Sequence, residues 1–187
     1  MSVNQKKLKE LKKIALSSQQ LQENTEKHIP ILRYSDIYGK SLNKLLKNGA
    51  FILLYMWGKN IGHWVCVINH PEENAVEFFD PYGYGIDHWL SGNTPEKNKE
   101  LGQEKPYLLN KVKKGTHTFY YNPVKLQDES RPEDVLSCGR WILLRIQNRH
   151  LSLDDFIKGL KKVKKKHNLK NYDQVAAYIT RHIDEQH

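Results

Sequence analysis

Residues 51–80 read FILLYMWGKNIGHWVCVINHPEENAVEFFD, and this stretch decides the fold. Its apolar runs are rich in Val, Ile and aromatic side chains, as is typical of consecutive antiparallel strands. Polar turn residues at 58–60 and 70–75 separate the runs. Strands are therefore predicted at residues 51–57, 63–69 and 76–80.

Further elements are predicted on both sides of this centre. Residues 5–24 carry a narrow apolar stripe among lysines, which predicts one polar helix that docks on the body or on a partner. Residues 41–47 predict a short helix, and residues 119–121 predict a fourth strand. The polar residues 91–105 predict a surface insertion.

The pattern becomes helical from Cys138 onward, where CGRWILLRIQNRH repeats apolar side chains at helical spacing. Ser152 is a favourable N-cap for the next helix. The 187 residues therefore predict a single α+β domain. Its central, mainly antiparallel sheet packs against the helix that Cys138 opens, with a helical N-terminal arm over 1–28 and C-terminal helices over 151–187.

Composition limits the class of protein. Hydrophobic residues make up 39% of the chain, enough for a packed core. No apolar run approaches the roughly 20 residues that cross a bilayer, and the N-terminus is too charged for a signal peptide. Two cysteines make neither a disulfide framework nor a CxxC zinc pair. We therefore expect an intracellular protein of a reducing compartment, with no membrane partner and no metal.

The net charge of +9 has two interpretations. It attracts polyanions such as nucleic acid, or it belongs to a solvated surface. The densest basic cluster also fits either interpretation, because a solvated face of an amphipathic helix would look the same. This lysine cluster consists of Lys158, Lys161, Lys162, Lys164, Lys165 and Lys166.

His63 and Asp80 flank one predicted hairpin. Antiparallel pairing about a centre between Pro71 and Glu72 places them opposite or near each other on one face. A carboxylate beside an imidazole fixes its tautomer and raises its basicity, as a general base requires. The pair also fits a purely structural contact. Because one residue begins its strand and the other ends one, both lie at one edge of the sheet, where sites are usually built.

The two cysteines differ in their predicted surroundings. Cys66 lies on the opposite strand face from His63 among apolar neighbours, which predicts a buried, inert thiol. Cys138 opens a helix, where the macrodipole favours a thiolate, and Gly139 lets a substrate backbone approach. A buried small residue is the alternative interpretation of Cys138. The His63–Asp80 pair elsewhere in the chain favours the nucleophile.

Gln127 ends a predicted strand before the loop that leads to Cys138. Its amide fits an oxyanion donor acting together with the Cys138 N–H, and it equally fits an ordinary surface group. Its place in the order of motifs favours the first interpretation.

The order of these motifs resembles the adenovirus-type cysteine protease superfamily, which also includes proteases that process SUMO-like modifiers. The resemblance covers about residues 50–148, and the terminal arms lie outside it. The matching pieces are Gly62-His63-Trp64, Phe78-Phe79-Asp80-Pro81-Tyr82-Gly83, Gln127 and Cys138-Gly139.

The resemblance implies a papain-like (adenain-type) fold with a Cys138–His63–Asp80 triad. Cys138 would attack the scissile carbonyl, His63 would transfer its proton, and Asp80 would orient His63. Gln127 and the Cys138 N–H would bind the oxyanion, and Trp64 would pack beside the triad. The implied activity is a cysteine endopeptidase that cleaves after glycine in capsid precursors, similar to small maturation enzymes of virophages and Maverick-type viruses.

Adenoviral relatives use DNA as a guide or cofactor. The resemblance therefore implies DNA as an activating polyanion, bound by the lysine cluster, and no other cofactor. The implied setting is the virion and the virus factory or nucleus of a host cell, with the enzyme acting as a monomer.

Two features depart from the family pattern. Gln127 precedes Cys138 by 11 positions, which is longer than the family leads us to expect. Loop 128–137 would then displace Gln127 or form a lid. Arg140 stands where a hydrophobic or small residue is usual. We expect Arg140 to point to solvent, and the alternative is that its charge favours the Cys138 thiolate.

Three other functions fit the same residues. The chain could process ubiquitin-like or SUMO-like modifiers with the same triad. It could be a catalytically silent nucleic-acid-binding module on a protease-like fold. It could also be an acyltransferase that uses the same thiol.

Overall fold

The computed structural model of the chain describes residues 5–59, 61–129 and 135–185. Within these residues, five strands form one sheet in the order β1-β2-β3-β4-β5. Strand β3 is therefore central. Its two neighbours in the sheet, β2 and β4, are also the strands directly before and after it in the chain. The strands are β1 (Ile31–Arg33), β2 (Ala50–Gly58), β3 (Ile61–His70), β4 (Ala75–Phe79) and β5 (Thr118–Tyr121).

The pairing of the strands differs between the centre and the edges of the sheet. Antiparallel ladders join β2 to β3 and β3 to β4, whereas the short edge strands β1 and β5 pair parallel to their neighbours. The α+β class with a mainly antiparallel sheet is confirmed. Strand β1 was not predicted, because a strand of three residues is too short to show alternation.

The helices cover both faces of the sheet. On one face, α6 packs against β3, and α1, α2, α7 and α8 add apolar side chains around it. On the other face, α3 and α5 close a second apolar cluster. The helices are α1 (Gln5–Leu11), α2 (Ser18–Asn24), α3 (Leu42–Leu45), α4 (Pro95–Glu100), α5 (Tyr107–Lys114), α6 (Cys138–Gln147), α7 (Leu153–Lys166) and α8 (Tyr172–Ile179).

The N-terminal arm is two helices, so the expectation of one helix over 5–24 is wrong. Ser17 starts α2 with a capping box: its hydroxyl accepts from the Gln20 N–H, and the Gln20 side chain accepts from the Ser17 N–H. This cap favours a fresh helix start over continuation of α1. Leu8 and Leu11 are buried as the stripe predicts, whereas Ile14, in the break between α1 and α2, is 43% exposed.

The sequence led us to expect that residues 91–105 form a surface insertion, but part of this segment is buried in the domain. They contain α4, and Gln103 after it is fully buried. The Gln103 side chain accepts from the Met56 N–H at 3.0 Å and donates to the Met56 carbonyl at 2.7 Å. A buried polar side chain thus supplies the hydrogen bonds of the backbone N–H and carbonyl of Met56 near the end of β2. Hydropathy cannot reveal such a role.

None of the helices within the described residues is both long enough and apolar enough to cross a membrane.

Candidate active site

The site lies where β3 begins and β4 ends. His63 is the third residue of β3 and pairs with Tyr55 of β2. Asp80 follows β4 directly. His63 Nε2 and Asp80 Oδ1 are 2.9 Å apart, and both side chains are fully buried.

The hairpin register differs by two residues from the predicted one. The β3–β4 ladder places Phe79 opposite Cys66, so Asp80 lies diagonal to His63. Pairing is centred one residue later in the chain, within the turn Pro71–Glu73. A shift of two residues in register keeps both side chains on the same face, because side chains alternate with a period of two. The predicted contact therefore forms despite the error in register.

Cys138 is the first residue of α6, and its sulfur lies within hydrogen-bonding reach of the His63 ring. The ring thus joins the Asp80 carboxylate to the thiol. Burial acts to lower the pKa of His63, but the interactions of the ring with the Asp80 carboxylate and with the Cys138 side chain outweigh it and raise this pKa from 6.5 to about 9. His63 is thus a strong base placed beside the candidate nucleophile.

This raised pKa makes stability depend on pH. Because the His63 pKa is higher in the folded state, its stabilising contribution is fully present below pH 6.5 and is lost as pH rises through about 9. We expect the free energy of unfolding to fall over this range by up to about 3 kcal/mol. Urea titrations at a series of pH values would measure it. His63→Gln is the control, and an equal slope in that variant would contradict the assignment.

Aromatic rings enclose His63. The ring centroids of Trp89 and Tyr82 lie 4.4 Å and 5.0 Å from that of His63, and Trp57 stacks on the ring at 6.4 Å. Trp89 Nε1 also donates to Asp80 Oδ2 at 2.6 Å. No sequence motif marks Trp89. Its only sequence cue is the aromatic-rich run PYGYGIDHW after Asp80.

Gln127 is joined to this cluster through Tyr82. Gln127 is buried, and its Nε2 donates to the Tyr82 hydroxyl and to the Val135 carbonyl, both at 2.9 Å. Burial, followed by the charge of the nearby Cys138, raises the pKa of Tyr82. Gln127 Oε1 is buried and has no hydrogen-bond partner among the described residues. The lid or displacement expected for loop 128–137 depends largely on residues 130–134, which lie outside the described part of the chain.

A carboxylate that the sequence did not single out fixes the chain before Cys138. Asp173 of α8 accepts from the Ser137 hydroxyl at 2.6 Å and from the Asp128 N–H at 3.1 Å. Burial raises the pKa of Asp173, although these hydrogen bonds oppose the change. The C-terminal helices therefore help to position the start of α6.

The N-terminal arm reaches the nucleophile. Trp64 Nε1 donates to the Leu16 carbonyl at 3.3 Å, and the Leu136 N–H donates to the Lys12 carbonyl at 2.8 Å. A Cβ on Gly139 would lie 3.0 Å from Leu16 Cβ. The missing side chain of Gly139 thus makes room for the arm, which is a different reason for glycine from the expected approach of substrate.

A groove of ≈ 750 Å³ opens beside Cys138. Its walls include Trp64 and three exposed apolar side chains: Trp57 (40% exposed), Ile61 (64%) and Leu136 (40%). Exposed apolar side chains gathered around a reactive group are typical of a binding groove.

Cys66 is fully buried in the core between sheet and α6, as predicted. Burial, with Glu77 nearby, raises its pKa well above the usual range.

The expectation that Arg140 points to solvent is wrong. Arg140 is fully buried in α6, and its Nη1 donates to Thr180 Oγ1 at 2.9 Å. Helix α8 and the turn after it cover that side of α6, which local sequence does not disclose.

The lysine cluster lies apart from these residues, on α7. Its members are exposed apart from Lys164, which is half-buried and lies over the Tyr172 ring. No group of three or more His, Cys, Asp or Glu is placed to hold a metal ion in the parts of the chain that the structure describes.

Comparison with known proteins places the chain in a family. It is 35% identical over 155 residues to uncharacterized protein V9 of Sputnik virophage, a match that covers 82% of this chain and 87% of that protein. The chain belongs to the V9 family. No protein-family profile matches the sequence.

Two solved structures show a distant likeness to this V9-family chain. Both are of SUMO protease Ulp1, with its catalytic cysteine oxidized to a sulfinic acid or to a sulfenic acid. Sequence identity is 10% in each case, and each match covers 97% of this chain. The first covers 78% of the Ulp1 chain at a TM-score of 0.34, and the second covers 79% at 0.30.

Proposed function

We propose that this chain is a cysteine endopeptidase with Cys138 as nucleophile and His63 as general base. One observation carries the proposal. The His63 ring lies between a buried carboxylate, that of Asp80 at 2.9 Å, and a thiol that lines an open groove. This is the arrangement that activates a thiol for attack on a carbonyl.

The reaction would proceed in two stages. Cys138 Sγ, having given its proton to His63, attacks the scissile carbonyl carbon, and the C–N bond breaks as His63 returns the proton to the leaving amine. A water molecule then gives a proton to His63 and attacks the thioester, and the C–S bond breaks to release the acid. Asp80 holds the His63 ring through both stages.

Gln127 and the Cys138 backbone N–H are the proposed donors to the oxyanion. Gln127 is buried beside Tyr82, which supports a place near the reacting atoms. Its Nε2 has two partners, Tyr82 and Val135, so one of these contacts must open before the amide can donate to an oxyanion.

We propose capsid precursors as substrates, cleaved after glycine by a monomeric enzyme in the virion or in a reducing compartment of the infected cell. The virophage relative supports a viral setting, and both cysteines are free thiols. Bulky side chains beside Cys138, those of Trp64, Leu16 and Leu136, line the groove and favour a residue without a side chain at the scissile bond.

A substrate comparison tests this proposal against processing of ubiquitin-like modifiers. The enzyme is incubated with a candidate capsid precursor and, separately, with a SUMO fusion and a ubiquitin fusion. We expect cleavage of the precursor alone, read by mass spectrometry of the new termini. Cleavage of a fusion alone would replace capsid maturation with modifier processing, and transfer of an acyl group without hydrolysis would indicate an acyltransferase.

DNA is proposed as an activating polyanion held by the lysine cluster on α7, whose exposed charges support this role. We expect the logarithm of the binding constant to fall with the logarithm of salt concentration, by a slope of roughly 0.9 per phosphate neutralised. The variant with Lys161, Lys162 and Lys165 changed to alanine should show a smaller slope.

A matched variant controls for net charge. Lys40, Lys111 and Lys114 line a groove on the opposite face of the sheet from α6, and changing all three to alanine removes the same charge. This control should keep the wild-type salt slope. A slope lost only in the control would move the DNA site to that groove, and no slope in the wild type would remove DNA as a partner.

A further inference from the structure

Trp89 lies in the short 3₁₀ turn His88–Gly92, in the loop that follows Asp80. It makes two contacts with the candidate site at once. Its indole Nε1 donates to Asp80 Oδ2 at 2.6 Å, and its ring centroid lies 4.4 Å from that of His63. The indole is only partly buried, whereas His63 and Asp80 are fully buried. It therefore lies between this pair and the solvent.

The two oxygens of Asp80 have different partners. Oδ1 is 2.9 Å from His63 Nε2 and accepts from the Tyr82 N–H at 2.9 Å. Among the described residues, Oδ2 accepts a hydrogen bond from Trp89 alone. Because Asp80 is fully buried, loss of that donor would leave a charged oxygen without a partner, which is costly in a low-dielectric site.

We propose that Trp89 is the positioning residue of this site, holding the Asp80 carboxylate in the rotation that presents Oδ1 to His63. The inference rests on the proposed protease function only for its effect on rate. The hydrogen-bond geometry stands on its own. Trp89 acts through Asp80 and does not reach the reacting atoms.

A freed carboxylate would rotate or take up a water molecule to satisfy Oδ2. Either change weakens its hold on the protonated His63 ring, so the His63 pKa falls and the base loses its fixed orientation. A misplaced base lowers the turnover number and leaves substrate binding unchanged. We expect kcat of Trp89→Phe to fall roughly 10-fold to 100-fold with little change in KM.

Several other titratable groups face His63 and must be kept constant in a test. Asp80 faces the ring from the end of β4, Cys138 from the start of α6, and Tyr82 from the loop that follows β4. Tyr84 and His88 lie behind Trp89, at 5.5 Å and 5.4 Å between ring centroids.

The test measures the His63 pKa by NMR, independently of turnover. In the Cys138→Ala background, the imidazole resonances of His63 are followed against pH with Trp89 or with Phe at that position. Phe keeps the aromatic packing and cannot donate a hydrogen bond. We expect the pKa of His63 to be lower by about 1 in the Phe variant, the equivalent of one lost hydrogen bond.

Trp57→Phe is the matched control for this pKa measurement, since Trp57 also stacks on His63 and, within the described residues, makes no hydrogen bond to Asp80. It should leave the His63 pKa unchanged. Equal pKa values in the Trp89 and Phe proteins would overturn the inference, and so would an equal fall in the Trp57→Phe control.

A second measurement applies if the Phe variant does not fold. In the otherwise unchanged chain, the indole N–H resonance of Trp89 should lie downfield of the other indole resonances and move upfield in Asp80→Asn. An unmoved resonance would overturn the inference. Continued substrate processing by Cys138→Ala would instead refute the protease proposal and leave the NMR result standing.

Discussion

Cys138→Ala is expected to abolish processing of the precursor, a loss on the order of 10⁴-fold or more, because no other nucleophile replaces the sulfur. Cys66→Ala is the matched control, since it removes the other thiol of the chain. Cys66 is fully buried and its pKa is raised, so this variant should keep activity near that of the wild type. Product formation in a precursor cleavage assay measures both variants.

Thiol labelling separates loss of the nucleophile from misfolding. Iodoacetamide at neutral pH should modify Cys138 faster than an ordinary thiol, because His63 favours the thiolate, and should leave Cys66 unmodified in the folded protein. Labelling of Cys138 at the rate of a free thiol would favour a catalytically silent module. Processing that depends on Cys66 and not on Cys138 would overturn the site assignment.

The second large effect concerns a buried ion pair between α6 and β4. Arg145 Nε and Nη2 donate to the two carboxylate oxygens of Glu77, each at 2.8 Å, and both residues are fully buried. Although burial alone would raise the pKa of Glu77, the Arg145 hydrogen bonds lower it. We expect Glu77→Gln to reduce the free energy of unfolding by about 3–5 kcal/mol, because Arg145 becomes a buried, unpaired charge.

Urea denaturation of three further variants tests this effect. Changing Glu77 and Arg145 together, to Met and Leu, should cost much less than Glu77→Gln alone, because neither buried charge is then left without its partner. Glu26→Gln breaks the more exposed pair with Arg149 and should cost at most about 1 kcal/mol. A small effect of Glu77→Gln, equal to that of Glu26→Gln, would contradict the argument. His70, 3.0 Å from Glu77, should be changed to Gln as the third variant to measure its share.

Much of the fold is local enough to be predicted from the sequence. The apolar runs and the turns between them locate β2, β3 and β4, and Ser152 locates the start of α7. The hairpin brings His63 to Asp80 even though its register is two residues off, because that shift preserves the face. Opposite faces of one strand likewise separate Cys66 from His63.

The sequence by itself determined the strand-rich centre, the hairpin pair and the cysteine at a helix start, because each depends on one element or on two consecutive strands joined by a short turn. Only the tertiary structure decided that Trp89 donates to Asp80, that Leu16 packs over Gly139, and that Arg145 pairs with Glu77. The Leu16 and Arg145 contacts join segments far apart in the chain, and the Trp89 contact depends on how an irregular loop folds back on Asp80, so none of the three follows a spacing rule. Arg145 and Arg140 appear as charges in a helical pattern, and only the packing of the sheet and α8 around α6 shows that they are buried.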